Sequence, residues 1–176
     1  MSGYRFGEVM ITREELKERV CQLGAQISKD YEGERVLAIC VLKGAILFMS
    51  DLIREINADV HIDFMAVSSY GATTKSSGVV RILKDLDSSV RGEHVLIVED
   101  IIDSGLTLKY LKDYLLAQGP KSLKIVTLLD KPERRAAEVT ADYVGFSIEN
   151  KFIVGYGLDY NQMYRNLPYI SYLEEV

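Results

Sequence analysis

The chain has 176 residues, of which 48% are apolar and 27% charged, and a net charge of -5 at neutral pH. That length suits one domain with a buried core, and the composition is ordinary for a soluble globular protein. The acidic balance argues against a broad nucleic-acid surface, and two cysteines, Cys21 and Cys40, give no disulfide framework.

Residues 1–10 carry Arg5 and Glu8 and no apolar run, so no secretory signal is read there. The longest apolar run, 36–42, is too short to span a bilayer. A cytoplasmic protein with no membrane partner is the expectation.

Thr12-Arg-Glu-Glu15 is a capping-box pattern, and Leu16, Val20, Leu23 and Ile27 follow at helical spacing. A helix is predicted over 12–31, closed by Glu32-Gly33. Residues 36–42 form a continuous apolar strand, ended by Lys43-Gly44, and 45–56 read as a helix. Lys43 then sits at the carboxyl end of a strand beside a helix start, a place that suits an anion. A solvated loop lysine is an equally good reading of that one residue.

In 60–69 the apolar residues Val60, Ile62 and Phe64 alternate with others, which predicts a half-exposed strand. Residues 70–78 are small, polar and aperiodic, and 79–83 alternate again. The connection is read as a mobile loop, either an active-site lid or a plain link between strands.

Residues 95–98 are four apolar residues in a row, and they are followed at once by Glu99 and Asp100, then Asp103. Ser104-Gly105-Leu106-Thr107 leads from there into a helix ending near Gln118, before Gly119-Pro120. Another buried strand, 123–129, precedes Asp130-Lys131-Pro132. Residues 133–139 are loop-like or briefly helical, and strands are predicted at 143–148, 152–155 and 169–173. Gly155-Tyr-Gly157 lacks a third glycine in register and opens no helix, which rejects a dinucleotide fingerprint. Tyr156, Tyr160 and Tyr164 read as a partly buried aromatic face. Alternating strands and helices predict an α/β fold: a mostly parallel twisted sheet flanked by helices, with a small hood subdomain built from terminal segments. The whole of 1–176 is one domain in this reading, with a core of about 35–148 and a hood from the N-terminal and 149–176 segments.

The stretch 95–108 carries the chemistry. Carboxylates at the carboxyl end of a parallel strand lie where open α/β sheets bind ligands. A small-residue turn entering a helix offers N–H groups and hydroxyls to a phosphate. Three acids close together repel one another unless a cation joins them, so a phosphorylated substrate carrying Mg2+ fits. An acidic turn that caps the next helix explains Asp103 alone, but not all three acids. A Walker A loop is absent.

This stretch resembles the ribose-phosphate signature of the type I phosphoribosyltransferases: an apolar strand, two acids, two variable residues, then Asp-Ser-Gly-x-Thr. Together with Val-Leu-Lys-Gly44, Ser-Ser-Tyr70 and Lys-Phe-Ile-Val-Gly-Tyr-Gly-Leu-Asp159, it is similar to the 6-oxopurine (hypoxanthine-guanine) branch of that family over nearly the whole chain. The resemblance implies purine salvage: Mg-dependent transfer of ribose 5-phosphate from phosphoribosyl pyrophosphate (PRPP) to N9 of hypoxanthine or guanine. A regulatory RNA-binding relative of the fold and a xanthine-guanine preference are the alternatives.

The same resemblance implies roles for individual residues. Asp103 is the catalytic base or acid at purine N7. Asp103, Ser104, Gly105, Leu106 and Thr107 hold the 5-phosphate end of PRPP. Lys43, Gly44 and Arg165 bind pyrophosphate, Lys43 through what in the family is a cis non-proline bond. Glu99 and Asp100 serve the ribose hydroxyls and a hydrated Mg2+, and Asp159 a second Mg2+. Lys131 donates to the 6-oxo group, Phe152 stacks on the purine, and the backbones of Ile153 and Asp159 read position 2. Ser69 and Tyr70 belong to the lid. Leu106 departs from the relatives that carry Lys there, which removes a charge from the phosphate side. The family also implies a homo-oligomer, dimer or tetramer, and no nucleic-acid partner.

Overall fold

Residues 4–69 and 80–175 of the chain are described by a computed structural model. Its apolar runs become adjacent strands of one sheet. The strands are β2 (Arg35–Leu42), β3 (Asp59–Ser69), β4 (Val80–Lys84), β5 (His94–Ile102), β6 (Ser122–Asp130) and β7 (Tyr143–Ser147). They lie in the order β4-β3-β2-β5-β6-β7, parallel throughout except for the antiparallel edge pair of β3 and β4. Helix α1 (Arg13–Asp30) precedes β2, α2 (Ile46–Leu52) links β2 to β3, and α3 (Leu106–Leu116) links β5 to β6.

The side-chain period of two explains the unbroken apolar runs. Val36, Ala38 and Cys40 of β2 pack with α1 and α2, whereas Leu37, Ile39 and Val41 pack on the other face with α3. Leu96 and Val98 of β5 join the first cluster, Val95 and Ile97 the second. The predicted stripe of α1, Leu16, Val20, Leu23 and Ile27, is buried. Each such side chain contributes about 1.5–3 kcal/mol on leaving water. The capping box forms as expected: the Glu15 N–H donates to Thr12 Oγ1 at 3.2 Å and the Thr12 N–H to Glu15 Oε2 at 2.8 Å.

The chain leaves β2 toward β3 on one side and leaves β5 toward β6 on the other. The crossover helices lie on opposite faces, as right-handed connections require when the direction of winding reverses. The carboxyl ends of β2 and β5 therefore flank a topological switch point, where open α/β sheets bind ligands.

Four features differ from the sequence reading. Strand β5 does not stop at Val98 but runs through both acids to Ile102, because β6 pairs with it along that length, Glu99 beside Thr127 and Ile101 beside Leu129. Helix α2 ends at Leu52 and continues only as a 3-10 turn, Ile53–Glu55. In β3, Ile62 is 50% exposed while Asp63 is buried. Strand β4 pairs only with Ala66–Ser69, so β3 is itself the sheet edge at Ile62. Asp63 turns inward because it accepts the Asp87 and Ser88 N–H groups, at 2.9 and 3.3 Å. The fourth difference is a strand that sequence reasoning did not find, β1 (Tyr4–Phe6). It pairs with β9 (Ser171–Glu175), which pairs with β8 (Phe152–Val154), making a separate three-stranded antiparallel sheet.

Candidate active site

At the end of β5, the Glu99 side chain is buried and Asp100 lies beside it. Burial lifts the Glu99 carboxyl well above the usual carboxylate range, and the Asp100 charge lifts it further. Burial raises Asp100 too, partly offset by the Ile101 N–H that donates to its Oδ1 at 2.7 Å. Two carboxylates held together away from water favour a cation between them and their ligand. No group of three or more His, Cys, Asp or Glu side chains gathers to hold a metal among the described residues. The pair fits Mg2+ that draws its remaining ligands from substrate oxygens and water.

The end of β2 meets this pair across the switch point. The Leu42–Lys43 peptide is cis. A Cβ at Gly44 would lie 1.6 Å from Asp100 Oδ2, so the Gly44 backbone is pressed against the carboxylate. On its other side, a Cβ at Gly157 would lie 2.0 Å from the Gly44 carbonyl oxygen. Gly157, which carries a positive φ of 103°, was no candidate in the sequence. Its carbonyl accepts from Arg165 Nη1 at 2.7 Å, and Arg165 Nη2 meets Asp159 Oδ1 at 2.8 Å and Gln162 Oε1 at 3.2 Å. The Gln162 N–H donates to the other Asp159 oxygen at 2.8 Å. Lys43, Gly44, Arg165 and Asp159 thus belong to one corner, and Asp159 is already engaged on both oxygens. Gln162 is a further member that sequence reasoning missed. Residues Tyr156, Asn161, Gln162 and Tyr164 all have positive φ, so the three tyrosines do not share a face. Tyr156 is buried with its hydroxyl donating to Asp51, Tyr160 packs on Tyr4 and Phe152, and Tyr164 packs on Phe6.

The phosphate-loop candidates form the entry to α3. Gly105 is its N-cap at a φ of +80°, and Leu106 and Thr107 open its first turn, whose N–H groups have no partners within the helix. The Leu106 N–H lies 3.4 Å from Ser104 Oγ, and its side chain is exposed. The Ser104 carbonyl accepts from the Ala136 and Ala137 N–H groups at 2.8 and 3.1 Å. A Cβ at Gly105 would meet Val139 Cγ1 at 2.7 Å. The loop after β6 therefore braces the loop after β5.

That bracing loop carries Lys131, which is buried with 6% exposure. Its Nζ donates to the Lys151 carbonyl at 2.6 Å, and its N–H to the Ile102 carbonyl at 3.0 Å. Burial lowers its ammonium below the ordinary range, against the pull of Asp103 and with a smaller push from Arg134. Asp103 does not cap α3. Its Oδ1 accepts from Arg134 Nε at 2.9 Å, a partner with no signal in the sequence. Phe152 is 46% exposed at the start of β8, edge-on to Tyr160, and Ile153 beside it is buried. Ser69 ends β3, whereas Tyr70 lies outside the described residues. A cavity of about 610 Å3 lined by Arg13, Lys17, Leu47, Arg54 and Tyr156 contains none of the sequence-predicted site residues.

The sequence matches the phosphoribosyl transferase domain family over residues 11–161. It is 55% identical to a hypoxanthine-guanine phosphoribosyltransferase of Bacillus subtilis (strain 168), over 99% of this chain and 97% of that protein. A hypoxanthine-guanine phosphoribosyltransferase of Staphylococcus aureus (strain Mu50 / ATCC 700699) is 51% identical, with 95% of this chain and 93% of that one covered. Among solved structures, a hypoxanthine phosphoribosyltransferase from Staphylococcus aureus superposes with a TM-score of 0.93 at 50% identity, covering 96% of this chain and 92% of that one. A hypoxanthine phosphoribosyltransferase from Trypanosoma cruzi, solved as a ternary substrate complex, superposes with a TM-score of 0.90 at 43% identity, covering 96% of each chain.

Proposed function

This chain belongs to the phosphoribosyl transferase family, and we propose that it is a purine-salvage hypoxanthine-guanine phosphoribosyltransferase. It joins the ribose 5-phosphate of PRPP to N9 of a 6-oxopurine and releases pyrophosphate. The observation that carries this reading is the meeting of Gly44, Asp100 and Gly157 at a switch point whose next loop enters α3 as an anion cradle.

The first turn of α3, from Ser104 to Thr107, takes the 5-phosphate. Leu106 contributes its N–H there and no charge. Glu99 and Asp100 face the ribose hydroxyls and would hold a hydrated Mg2+, whose charge would offset that of the diphosphate and the acid pair. Lys43, Gly44 and Arg165 take the pyrophosphate, and Asp159 would hold a second Mg2+. Charge develops on the sugar carbon and on the leaving diphosphate, so preorganised donors at this corner supply the main stabilisation.

Lys131 reads the base. Its ammonium already reaches a carbonyl oxygen and has further N–H bonds to give. A 6-oxo group accepts one, whereas a 6-amino group presents a donor to a donor. Phe152 stacks on the purine, the Ile153 and Asp159 backbones meet position 2, and Asp103 exchanges the proton at N7. Ser69 and Tyr70 belong to the segment that closes over the site. The chain acts as one domain, a core of about 35–148 with a hood from the N-terminal and 149–176 segments, and both contribute residues to the base and to the pyrophosphate.

The enzyme works in the cytoplasm and as a homo-oligomer, dimer or tetramer. Exposed Ile46, Leu47 and Ile62 offer apolar surface for that contact. A monomer by light scattering would remove the oligomer. Among the described residues, no helix is long and apolar enough to cross a membrane.

The test is steady-state turnover of hypoxanthine, guanine, xanthine and adenine with PRPP, with and without Mg2+. Mg-dependent release of pyrophosphate with hypoxanthine and guanine, and none with adenine, is expected. RNA binding without purine-dependent turnover would replace this reading with a regulatory relative of the fold.

A further inference from the structure

Asp103, the residue after β5, is held by a side chain from a different loop. The loop after β6 is stitched to the loop after β5 at two places, by Lys131 N–H to the Ile102 carbonyl and by the Ala136 and Ala137 N–H groups to the Ser104 carbonyl. Between the two stitches lies one side-chain tie, Arg134 Nε to Asp103 Oδ1 at 2.9 Å. Arg134 ends a 3-10 turn, Pro132–Arg134, that begins immediately after Lys131. The same short turn therefore sets both the donor proposed for the 6-oxo group and the partner of the proposed proton acceptor. Asp103 Oδ2 makes no hydrogen bond among the described residues. The contact is monodentate, through Nε, and both side chains are about half exposed, at 51% and 44%.

We propose that Arg134 is a positioning residue for the proton transfer: its guanidinium holds Oδ1 of Asp103 so that Oδ2 faces the purine imidazole as a carboxylate. The proposal rests on the reading of Asp103 as the acid–base group. In the forward direction N9 of the base forms its bond to the anomeric carbon, and the bond from that carbon to the pyrophosphate oxygen breaks with its electron pair going to pyrophosphate. The proton on N7 passes to Asp103 Oδ2, leaving a neutral nucleotide base. A carboxylate free to rotate, or protonated beforehand, does this less well.

The charged groups around Asp103 are Arg134 and Lys131, both from the loop after β6. Asp100, three residues before it, is turned to Gly44. Arg134 is the cation whose removal leaves the purine donor Lys131 in place. An exposed pair of this kind contributes little to stability, so its removal tests chemistry and not folding.

The experiment compares wild type, Arg134→Gln, Arg134→Lys and Asp103→Asn in Mg2+ and PRPP, with hypoxanthine varied. Arg134→Gln is expected to lower kcat with hypoxanthine about tenfold, while KM for PRPP holds and the melting temperature stays within about 4 °C of wild type. Arg134→Lys, a cation that still reaches Oδ1, is expected to recover part of kcat. Wild-type kcat in Arg134→Gln would overturn the proposal. So would a loss of kcat that Arg134→Lys does not recover, or one matched by a rise in KM for PRPP, since either marks a structural role. Asp103→Asn separates the two readings: full turnover there removes Asp103 from the proton transfer, whereas a large loss there with Arg134→Gln unchanged removes Arg134 alone.

Discussion

Gly44 is confined by Asp100 on one side and by Gly157 on the other, and it has no positive φ, so only space excludes a side chain there. In Gly44→Ala the new Cβ would stand 1.6 Å from Asp100 Oδ2 and 2.6 Å from Cγ. Ordinary contact begins at 3.4 Å, so the carboxylate must retreat by roughly 2 Å. Its bond to the Ile101 N–H does not survive such a shift unchanged. A misplacement of 1 Å at a reacting centre costs about a hundredfold, so kcat/KM for PRPP should fall by at least about that, near 2.7 kcal/mol. Overpacking should lower folding stability by about 1–3 kcal/mol. PRPP titration calorimetry with Mg2+, steady-state kinetics and urea unfolding measure these separately. The double variant Gly44→Ala/Asp100→Ala identifies the cause. Deleting the carboxylate relieves the clash, so stability should recover by about 1–2 kcal/mol beyond additivity while activity stays low. Wild-type PRPP affinity in Gly44→Ala, or strictly additive stabilities in the pair, would refute the contact between Gly44 and Asp100.

Three further variants give separate outcomes. Burial holds the Lys131 ammonium below its ordinary range, so the unfolded chain binds more protons there, and wild-type stability rises with pH up to the unfolded value of about 10.4. Lys131→Met removes that titration, so its stability relative to wild type should decline as pH rises through this window; a constant difference in urea unfolding would contradict it. The same variant should weaken the preference for hypoxanthine over adenine. Arg165→Lys keeps the charge but loses the fork that spans Gly157 and Asp159, and it should raise KM for PRPP about tenfold, with unaltered PRPP kinetics as the refuting result. Thr12→Ala breaks the capping box of α1 and should cost about 1 kcal/mol of stability in urea unfolding with no change in kcat or KM.

What the sequence displayed well was whatever local periodicity encodes. The apolar runs of β2 and β5, the stripe of α1 and its capping box each lie within a few consecutive turns or pleats, and each formed. The extension of β5 through Glu99 and Asp100 was hidden because acids at a strand end look like loop, and only pairing with β6 keeps them in the sheet. The direction of β3 was hidden for a similar reason. Asp63 is buried by two N–H groups more than twenty residues away, which no local pattern reports. Gln162 and Arg134 were invisible for lack of any residue-type signal, and Gly157 stood in a quoted motif without a role: they become site components only when the fold sets them against Asp159, Asp103 and Gly44.

The corner proposed for pyrophosphate shows why backbone forms so much of the floor of this site. A diphosphate with its cation needs donors and acid oxygens at close quarters, and side chains from three segments would fill the space it requires. Here two glycines in layers, Gly157 on Gly44 and Gly44 on Asp100, bring a carbonyl, a carboxylate and the Arg165 guanidinium together with no Cβ between them. The same economy explains Gly105, where a Cβ would strike Val139 and separate the phosphate loop from the loop that carries Lys131. In the proposed reading Lys131 and Phe152 would meet the base from the second loop and the small sheet, and the charged part of PRPP would be held by main chain and by acids that burial has made costly to leave without a cation.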